Sequence, residues 1–168
     1  MLFGGTTTAN RPVTRIGKSA IPIRLAAAPR SGTCDNTLKR KAEIAMPLYR
    51  ITTPEGLLTS ESKATLAAEI TEFHSQMSGL DEAYTKIVFD SFGSGDGFIG
   101  REAGPAVILT VKVRAGRPAD YRKKLLFGLK SRLQHATGAA DVHMLLALEE
   151  MPASNAIEMG ELMPEIGA

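Results

Sequence analysis

Two stretches of the chain carry apolar residues at helical spacing. In the first, Thr59 or Ser60 can cap the helix N-terminus and Gly79 can end it. Its apolar positions, spaced by four, three and four residues, are Leu66, Ile70, Phe73 and Met77. In the second, Pro118 suits the first turn and Gly138 ends the helix. Its apolar positions, four residues apart, are Tyr121, Leu125, Leu129 and Leu133. The pattern predicts two amphipathic helices, each with one face to bury.

Runs rich in β-branched and apolar residues predict four strands, at 48–53, 85–89, 106–113 and 142–148. A glycine-rich connection over 91–105 joins the second strand to the third. The order is strand, helix, strand, and then the same again. The sequence therefore predicts an α/β (α+β) fold made of two βαβ halves, with both helices on one face of the sheet.

The third and fourth strands are apolar on both faces instead of alternating, over 106–111 and 144–148. Such strands are typical of a sheet that is covered on both sides. Two helices cover only one side, so the other side is expected to meet another subunit. The sequence predicts a homo-oligomer.

The first 45 residues differ in composition from the rest of the chain. They contain eight Lys or Arg against two acids, a net charge of 8 − 2 = +6. The remainder then has 12 basic and 16 acidic residues, a net charge of −4, so the formal +2 of the whole chain describes neither part. No run approaches the roughly 20 apolar residues of a membrane-spanning helix. We therefore expect neither a nucleic-acid partner nor a membrane partner.

Residues 1–46 are interpreted as an N-terminal extension, and 47–168 as one compact domain. The extension is rich in Thr, Ser, Ala and Arg, and it holds Cys34, the only cysteine of the chain. Three interpretations stay open: a translated stretch absent from the real protein, a mitochondrial transit peptide that is removed, and a disordered arm. The protein is expected in the cytoplasm if translation starts at Met46, and in mitochondria if the extension is a transit peptide.

The dipeptide Met46-Pro47 bears on chemistry as well as on domain bounds. If translation began at Met46 and that methionine were removed, Pro47 would carry a free secondary amine. Such an amine can act as a base or an acid near neutral pH, whereas an internal proline cannot. The alternative is a proline that only begins an edge strand.

Three further features suggest a site for a small carboxylate. Arg114 and Arg117 follow the third strand, where a turn could direct both guanidinium groups into one pocket. His74 lies on the apolar stripe of the first helix, so it is expected to be partly buried. Glu158 lies in the C-terminal segment, where it is either a proton acceptor or a surface acid. His135 and His143 are scattered in sequence from His74, so no metal site is predicted.

Taken together, these residues resemble the tautomerase superfamily, and within it the subgroup of cis-3-chloroacrylic acid dehalogenase. The motifs are Pro47, His74, Arg114-Ala115-Gly116-Arg117, and Glu150-Met151-Pro152-Ala153 followed by Glu158-Met159-Gly160. The resemblance implies a tautomerase-like fold with a four-stranded mixed sheet, a homotrimer and no cofactor. It also implies that Arg114 and Arg117 bind the substrate carboxylate, that His74 holds a substrate oxygen or carboxylate, and that Glu158 activates water.

One position departs from the subgroup: Ala147 stands where the subgroup has an active-site tyrosine. A methyl group cannot hydrogen-bond water, so hydrolytic dehalogenation is in doubt. The sequence favours a cofactor-independent tautomerase (isomerase) with Pro47 as general base, acting on a small enol or α-keto acid. Tyr49 is a candidate to replace the missing hydroxyl. The alternatives are a hydratase or dehalogenase of a small unsaturated (halo)acid, and a noncatalytic protein of the same fold if Pro47 is internal.

Overall fold

The structure is a computed structural model, and residues 47–163 are described. The predicted extension over 1–46 lies outside the described residues. The main elements in chain order are β1 (Leu48–Pro54), α1 (Ser60–Ser78), β2 (Lys86–Phe92), β3 (Phe98–Ile99), β4 (Glu102–Ala103), β5 (Val107–Arg114), α2 (Ala119–Thr137), β6 (Met144–Met151), β7 (Ile157–Glu158) and β8 (Glu161–Leu162). Short 3-10 turns lie at Glu82–Tyr84, Asp141–His143 and Ala153–Asn155.

Four of the strands form one mixed sheet in the order β2-β1-β5-β6. The two outer pairs, β1 with β2 and β5 with β6, are parallel, as the two βαβ halves require. The central pair, β1 with β5, is antiparallel and joins the halves. The predicted four-stranded mixed sheet with two helices is confirmed.

Both helices begin and end at the residues that their sequences indicate. The Thr59 hydroxyl accepts a hydrogen bond from the backbone N–H of Ser62 at 3.1 Å and so caps α1. Gly79 and Gly138 end the two helices in the left-handed conformation that glycine adopts at low cost. Pro118 lies one residue before α2, where its missing N–H costs nothing.

The core lies between the helices and one face of the sheet. Tyr49 and Ile51 of β1 are fully buried there, as are alternate residues of β5. The helices contribute Leu66, Ile70 and His74 from α1 and Leu125, Leu129 and Leu133 from α2. The apolar stripes predicted for both helices therefore pack on this face.

The connection over 91–105 is more ordered than its glycine content indicates. β2 extends through Phe92, and β3 and β4 form a two-stranded hairpin within the connection. Strands of two residues are too short to produce a period-2 pattern, so the sequence could not indicate them.

The opposite face of the sheet carries exposed apolar and paired charged side chains. Leu48 and Leu145 are exposed there. Arg50 pairs with Asp90 at 3.0 Å, and Lys112 pairs with Glu149 at 3.2 Å. Within residues 47–163, no helix is both long and apolar enough to cross a membrane.

The strand directions gather four chain segments at one edge of the sheet. Because β1 is parallel to β2 and antiparallel to β5, the starts of β1 and β2 lie beside the ends of β5 and β6. Pro47 precedes β1, Lys86 begins β2, and Arg114 ends β5. The candidate residues, which are far apart in sequence, are thus brought to a common edge.

Candidate active site

Pro47 lies at the start of β1 and is buried. Its carbonyl oxygen accepts a hydrogen bond of 3.1 Å from the backbone N–H of Lys86. This bond fixes Pro47 beside the first residue of β2. A group at this position is held by the sheet and not by a loop.

Tyr49 and His74 form a buried pair between β1 and α1. The Tyr49 hydroxyl lies 2.6 Å from Nδ1 of His74, and the two rings meet edge to face at 5.9 Å. Burial, followed by the nearby Arg117 cation, lowers the pKa of His74 to about 4. Burial also raises the pKa of Tyr49. Near neutral pH the pair therefore consists of a neutral imidazole and a neutral phenol.

Arg117 lies next to this pair. It contacts Tyr121, which lies in the first turn of α2. Its guanidinium carbon is 4.9 Å from the centroid of the Tyr121 ring, within the range of a cation–π contact. Burial raises the pKa of Tyr121, and the Arg117 cation opposes that rise. We refer to Tyr49, His74, Arg117 and Tyr121 as the polar cluster.

The loop that carries the two arginines is tied to β6. Gly116 has a φ of 95°, a conformation that side-chain-bearing residues rarely adopt. The Glu150 carboxylate accepts hydrogen bonds from the Arg117 backbone N–H at 3.3 Å and from Arg122 Nη1 at 2.6 Å. Glu150 thereby couples the arginine loop to both α2 and the end of β6.

Arg114 ends β5 and is fully withdrawn from solvent. The next residue, Ala115, donates its backbone N–H to the Met151 carbonyl at 2.8 Å, which holds the strand ends together. Arg114 and Arg117 thus flank one short turn at the same sheet edge. Convergence of their two guanidinium groups on one carboxylate stays a prediction.

Glu158 in β7 forms an ion pair with Lys86. The Glu158 side chain is 6% exposed and that of Lys86 is 46% exposed, so the carboxylate is the buried partner. The second carboxylate oxygen, Oε2, is buried and has no hydrogen-bond partner within residues 47–163. Lys86 contacts Pro47 through its backbone and Glu158 through its ammonium, so all three lie at one strand start.

Ala147 lies on the other side of the sheet from the polar cluster. It pairs with Thr110, whereas Tyr49 pairs with the neighbouring Val111, whose side chain is buried under the helices. A side chain at position 147 therefore projects from the opposite face of the same subunit. Tyr49 lies on the helix-covered face, where its hydroxyl contacts His74, and its replacement of the missing hydroxyl stays a prediction.

Sequence reasoning assigns no role at this site to three of its residues. Lys86 contacts Glu158, which is 72 positions away in sequence, and Glu150 contacts Arg117, which is 33 positions away. A local sequence pattern does not indicate contacts between residues so far apart. Tyr121 fits the apolar stripe of α2, and its contact with Arg117, which lies before the helix N-cap, is not indicated by helical spacing. Among residues 47–163, no three His, Cys, Asp or Glu side chains are grouped so that they could hold a metal ion.

Comparison with known proteins gives a consistent relationship over the same part of the chain. Residues 46–168 match the family Tautomerase_3, described as "Putative oxalocrotonate tautomerase enzyme". No curated protein matches the chain.

Three solved structures illustrate the similarity. Native Ps01740 is 29% identical, with a TM-score of 0.64 over 66% of this chain and 99% of that chain. N1, a member of the cis-3-chloroacrylic acid dehalogenase family, is 24% identical, with a TM-score of 0.67 over 71% and 85%. A wild-type fused 4-OT, described as a symmetric trimer, is 17% identical, with a TM-score of 0.63 over 69% and 94%. The family match covers all of the described residues, and the chain belongs to the Tautomerase_3 family of the tautomerase superfamily.

Proposed function

We propose that this protein is a cofactor-independent tautomerase of a small enol or α-keto carboxylic acid, and that its catalytic form begins at Pro47. The observation that carries the proposal is the sheet edge at which Pro47, Arg114 and the Lys86–Glu158 pair lie together, next to the polar cluster. The family match beginning at Met46 supports the proposed start of the domain.

The proton transfer itself needs only one base. In ketonisation, the unprotonated amine of Pro47 takes the proton of the enol hydroxyl, and the resulting ammonium returns a proton to carbon. No atom is gained or lost, and no cofactor is required. Arg114 and Arg117 bind the substrate carboxylate, since guanidinium groups match its geometry.

His74 and Tyr49 hold a substrate oxygen as a pair. A neutral Tyr49 hydroxyl can donate a hydrogen bond to Nδ1 of His74, and the neutral imidazole then carries its own proton on Nε2. Nε2–H is then a donor toward the oxygen on which charge develops. The depressed pKa of His74 supports this neutral form. Glu158 assists by stabilising the Pro47 ammonium through Oε2, which has no hydrogen-bond partner in the described part of the chain.

A second candidate is addition of water to a small unsaturated (halo)acid. It is favoured by the buried Oε2 atom of Glu158, which could accept a proton from water. Ala147 counts against it through the resemblance alone, because the subgroup has an active-site tyrosine where this chain has a methyl group. The third interpretation, a noncatalytic protein, applies if Pro47 is internal in the native chain.

The experiment is an assay of protein beginning at Pro47 against enolised 2-oxo acids, followed by their absorbance. We expect accelerated ketonisation without release of halide or hydrated product from unsaturated haloacids. Arg117→Lys keeps the charge but loses the forked donor, so kcat/KM should fall roughly 10- to 100-fold. Arg101→Lys, at an exposed arginine in the β3–β4 turn, is the matched control and should change little. Halide or hydrated product without ketonisation would favour the second candidate, and no turnover of either kind would contradict an enzyme.

A further inference from the structure

The Tyr121 hydroxyl is buried in the structure without a hydrogen-bond partner among residues 47–163. Buried side-chain polar groups are almost always paired, because the loss of water costs free energy that only a new hydrogen bond recovers. An unpaired buried hydroxyl next to a candidate binding site is therefore a candidate to bind a ligand. Tyr121 plays no part in the proton transfer proposed above.

The surroundings of Tyr121 connect it to that site. Its ring lies against the Arg117 guanidinium at 4.9 Å. It also packs on the core cluster that includes Tyr49, and the proximity of the two phenols contributes to the raised pKa of Tyr49. The Tyr49 hydroxyl is already bonded to His74. Tyr121 thus supplies the phenol hydroxyl of the polar cluster that is still available.

We propose that the Tyr121 hydroxyl donates a hydrogen bond to the C2 oxygen of a 2-oxo acid whose carboxylate is bound at Arg117. In such an acid the C2 oxygen is on the carbon adjacent to the carboxylate, so a carboxylate held by Arg117 brings that oxygen toward the neighbouring phenol. Burial raises the pKa of Tyr121, so the hydroxyl keeps its proton and can act as a donor. This inference rests on the proposed function in naming the substrate class, 2-oxo acids in preference to simple carboxylates.

A competing explanation is that the aromatic ring only supports the Arg117 guanidinium. Tyr121→Phe distinguishes a role of the hydroxyl from a role of the ring, because it keeps the ring and removes the hydroxyl. If the ring alone matters, this variant behaves as the wild type. The variant should fold, since it removes a buried hydroxyl that has no hydrogen-bond partner among residues 47–163. A thermal melt at or above the wild-type midpoint checks this.

The test compares two ligands that differ only at C2, 2-oxopentanoate and pentanoate, by NMR titration of protein beginning at Pro47. We expect the wild type to prefer 2-oxopentanoate. Tyr121→Phe should weaken 2-oxopentanoate binding roughly 5- to 20-fold and change pentanoate binding less than about 2-fold. Tyr84→Phe, at a tyrosine outside the polar cluster, is the matched control and should change neither affinity.

Several outcomes would overturn the inference. These are equal weakening of both ligands, unchanged binding of both, and a wild type without preference for 2-oxopentanoate. The ligand comparison is independent of turnover. If the protein ketonises no enol but loses its 2-oxo preference in Tyr121→Phe, the proposed function fails and this inference stands. If the protein ketonises enols but the wild type shows no preference for 2-oxopentanoate, the proposed function stands and this inference fails.

Discussion

At the scale of single residues, His74 makes folding stability depend on pH. The pKa of His74 is about 4 in the folded protein, because burial and the Arg117 cation disfavour the imidazolium. In the unfolded chain it returns to about 6.5. The unfolded state therefore binds more protons between these values, and stability falls as pH falls. Full stability is present above about pH 6.5, and roughly 2 kcal/mol of the unfolding free energy should be lost between pH 7 and pH 5.

Urea unfolding at several pH values and one protein concentration measures this loss. His74→Asn should remove most of the dependence between pH 7 and pH 5, whatever its own stability. His135→Asn, at an exposed position near the end of α2, is the control and should keep the wild-type slope. An unchanged slope in His74→Asn would show that another group carries the dependence.

The Lys86–Glu158 pair gives a second prediction at this scale. Lys86 and Lys112 are each 46% exposed, but their partners differ: Glu158 is 6% exposed and Glu149 is 54% exposed. Removal of Lys86 leaves a buried carboxylate without its counter-ion, whereas removal of Lys112 leaves a solvated one. Lys86→Met should cost about 1–3 kcal/mol of unfolding free energy, and Lys112→Met less than about 1 kcal/mol.

The comparison is made by urea unfolding of both variants at equal protein concentration. Glu158→Gln in the Lys86→Met background should recover part of the loss, because it removes the uncompensated charge. Equal costs for the two lysine variants would mean that the burial of Glu158 does not strengthen its pair.

At the scale of elements, the contact between the two helices depends on Gly128. A Cβ atom there would lie 2.0 Å from the Phe73 ring, so the glycine lets α2 approach α1 closely. Arg132 covers the same ring, with its guanidinium carbon 4.0 Å from the centroid. The ring therefore has little room to move. Gly128→Ala should destabilise the fold by about 1–3 kcal/mol despite its better helix propensity.

A double-mutant comparison isolates the cause. In a Phe73→Ala background the clash is gone, so Gly128→Ala should become neutral or stabilising by up to about 1 kcal/mol. Thermal melts of the four proteins measure the difference. A destabilisation that persists without the Phe73 ring would contradict the steric explanation.

The same elements show what the sequence can predict. Helix bounds followed from Thr59, Gly79 and Gly138, because caps and left-handed glycines are local signals. Strand positions followed from apolar runs, although β6 begins two residues later and ends three later than predicted. The two small hairpins were missed, since two-residue strands carry no periodicity.

The candidate site could be predicted only in part, because its contacts join residues that are far apart in sequence. Pro47, His74, Arg114 and Glu158 were nominated by residue type and by resemblance. The pairing of Lys86 with Glu158 depends on strand directions that the sequence does not state. Likewise, the position of Ala147 on the opposite face followed only from its pairing with Thr110.

At the scale of the whole molecule, the sheet face away from the helices is expected to be an interface. Leu48, Val88 and Leu145 are exposed on it, where two helices leave the sheet uncovered. We propose a homotrimer, with these side chains buried between subunits. Light scattering after size exclusion should give three times the chain mass. Leu145→Lys should lower that mass, whereas Phe127→Lys, at an exposed apolar residue of α2, should not. A wild type that runs as a monomer would contradict the proposal.

The proposed general base is the amine of Pro47, and a comparison of two N-termini tests this directly. Two proteins are compared, one beginning at Pro47 and one beginning at Met46 with that methionine retained. In the second, the nitrogen of Pro47 is an amide and cannot accept a proton. Ketonisation kcat/KM should be roughly 10²- to 10⁴-fold lower for the protein that retains Met46. Equal activity of the two forms, with the retained methionine verified by intact mass, would show that Pro47 is not the base.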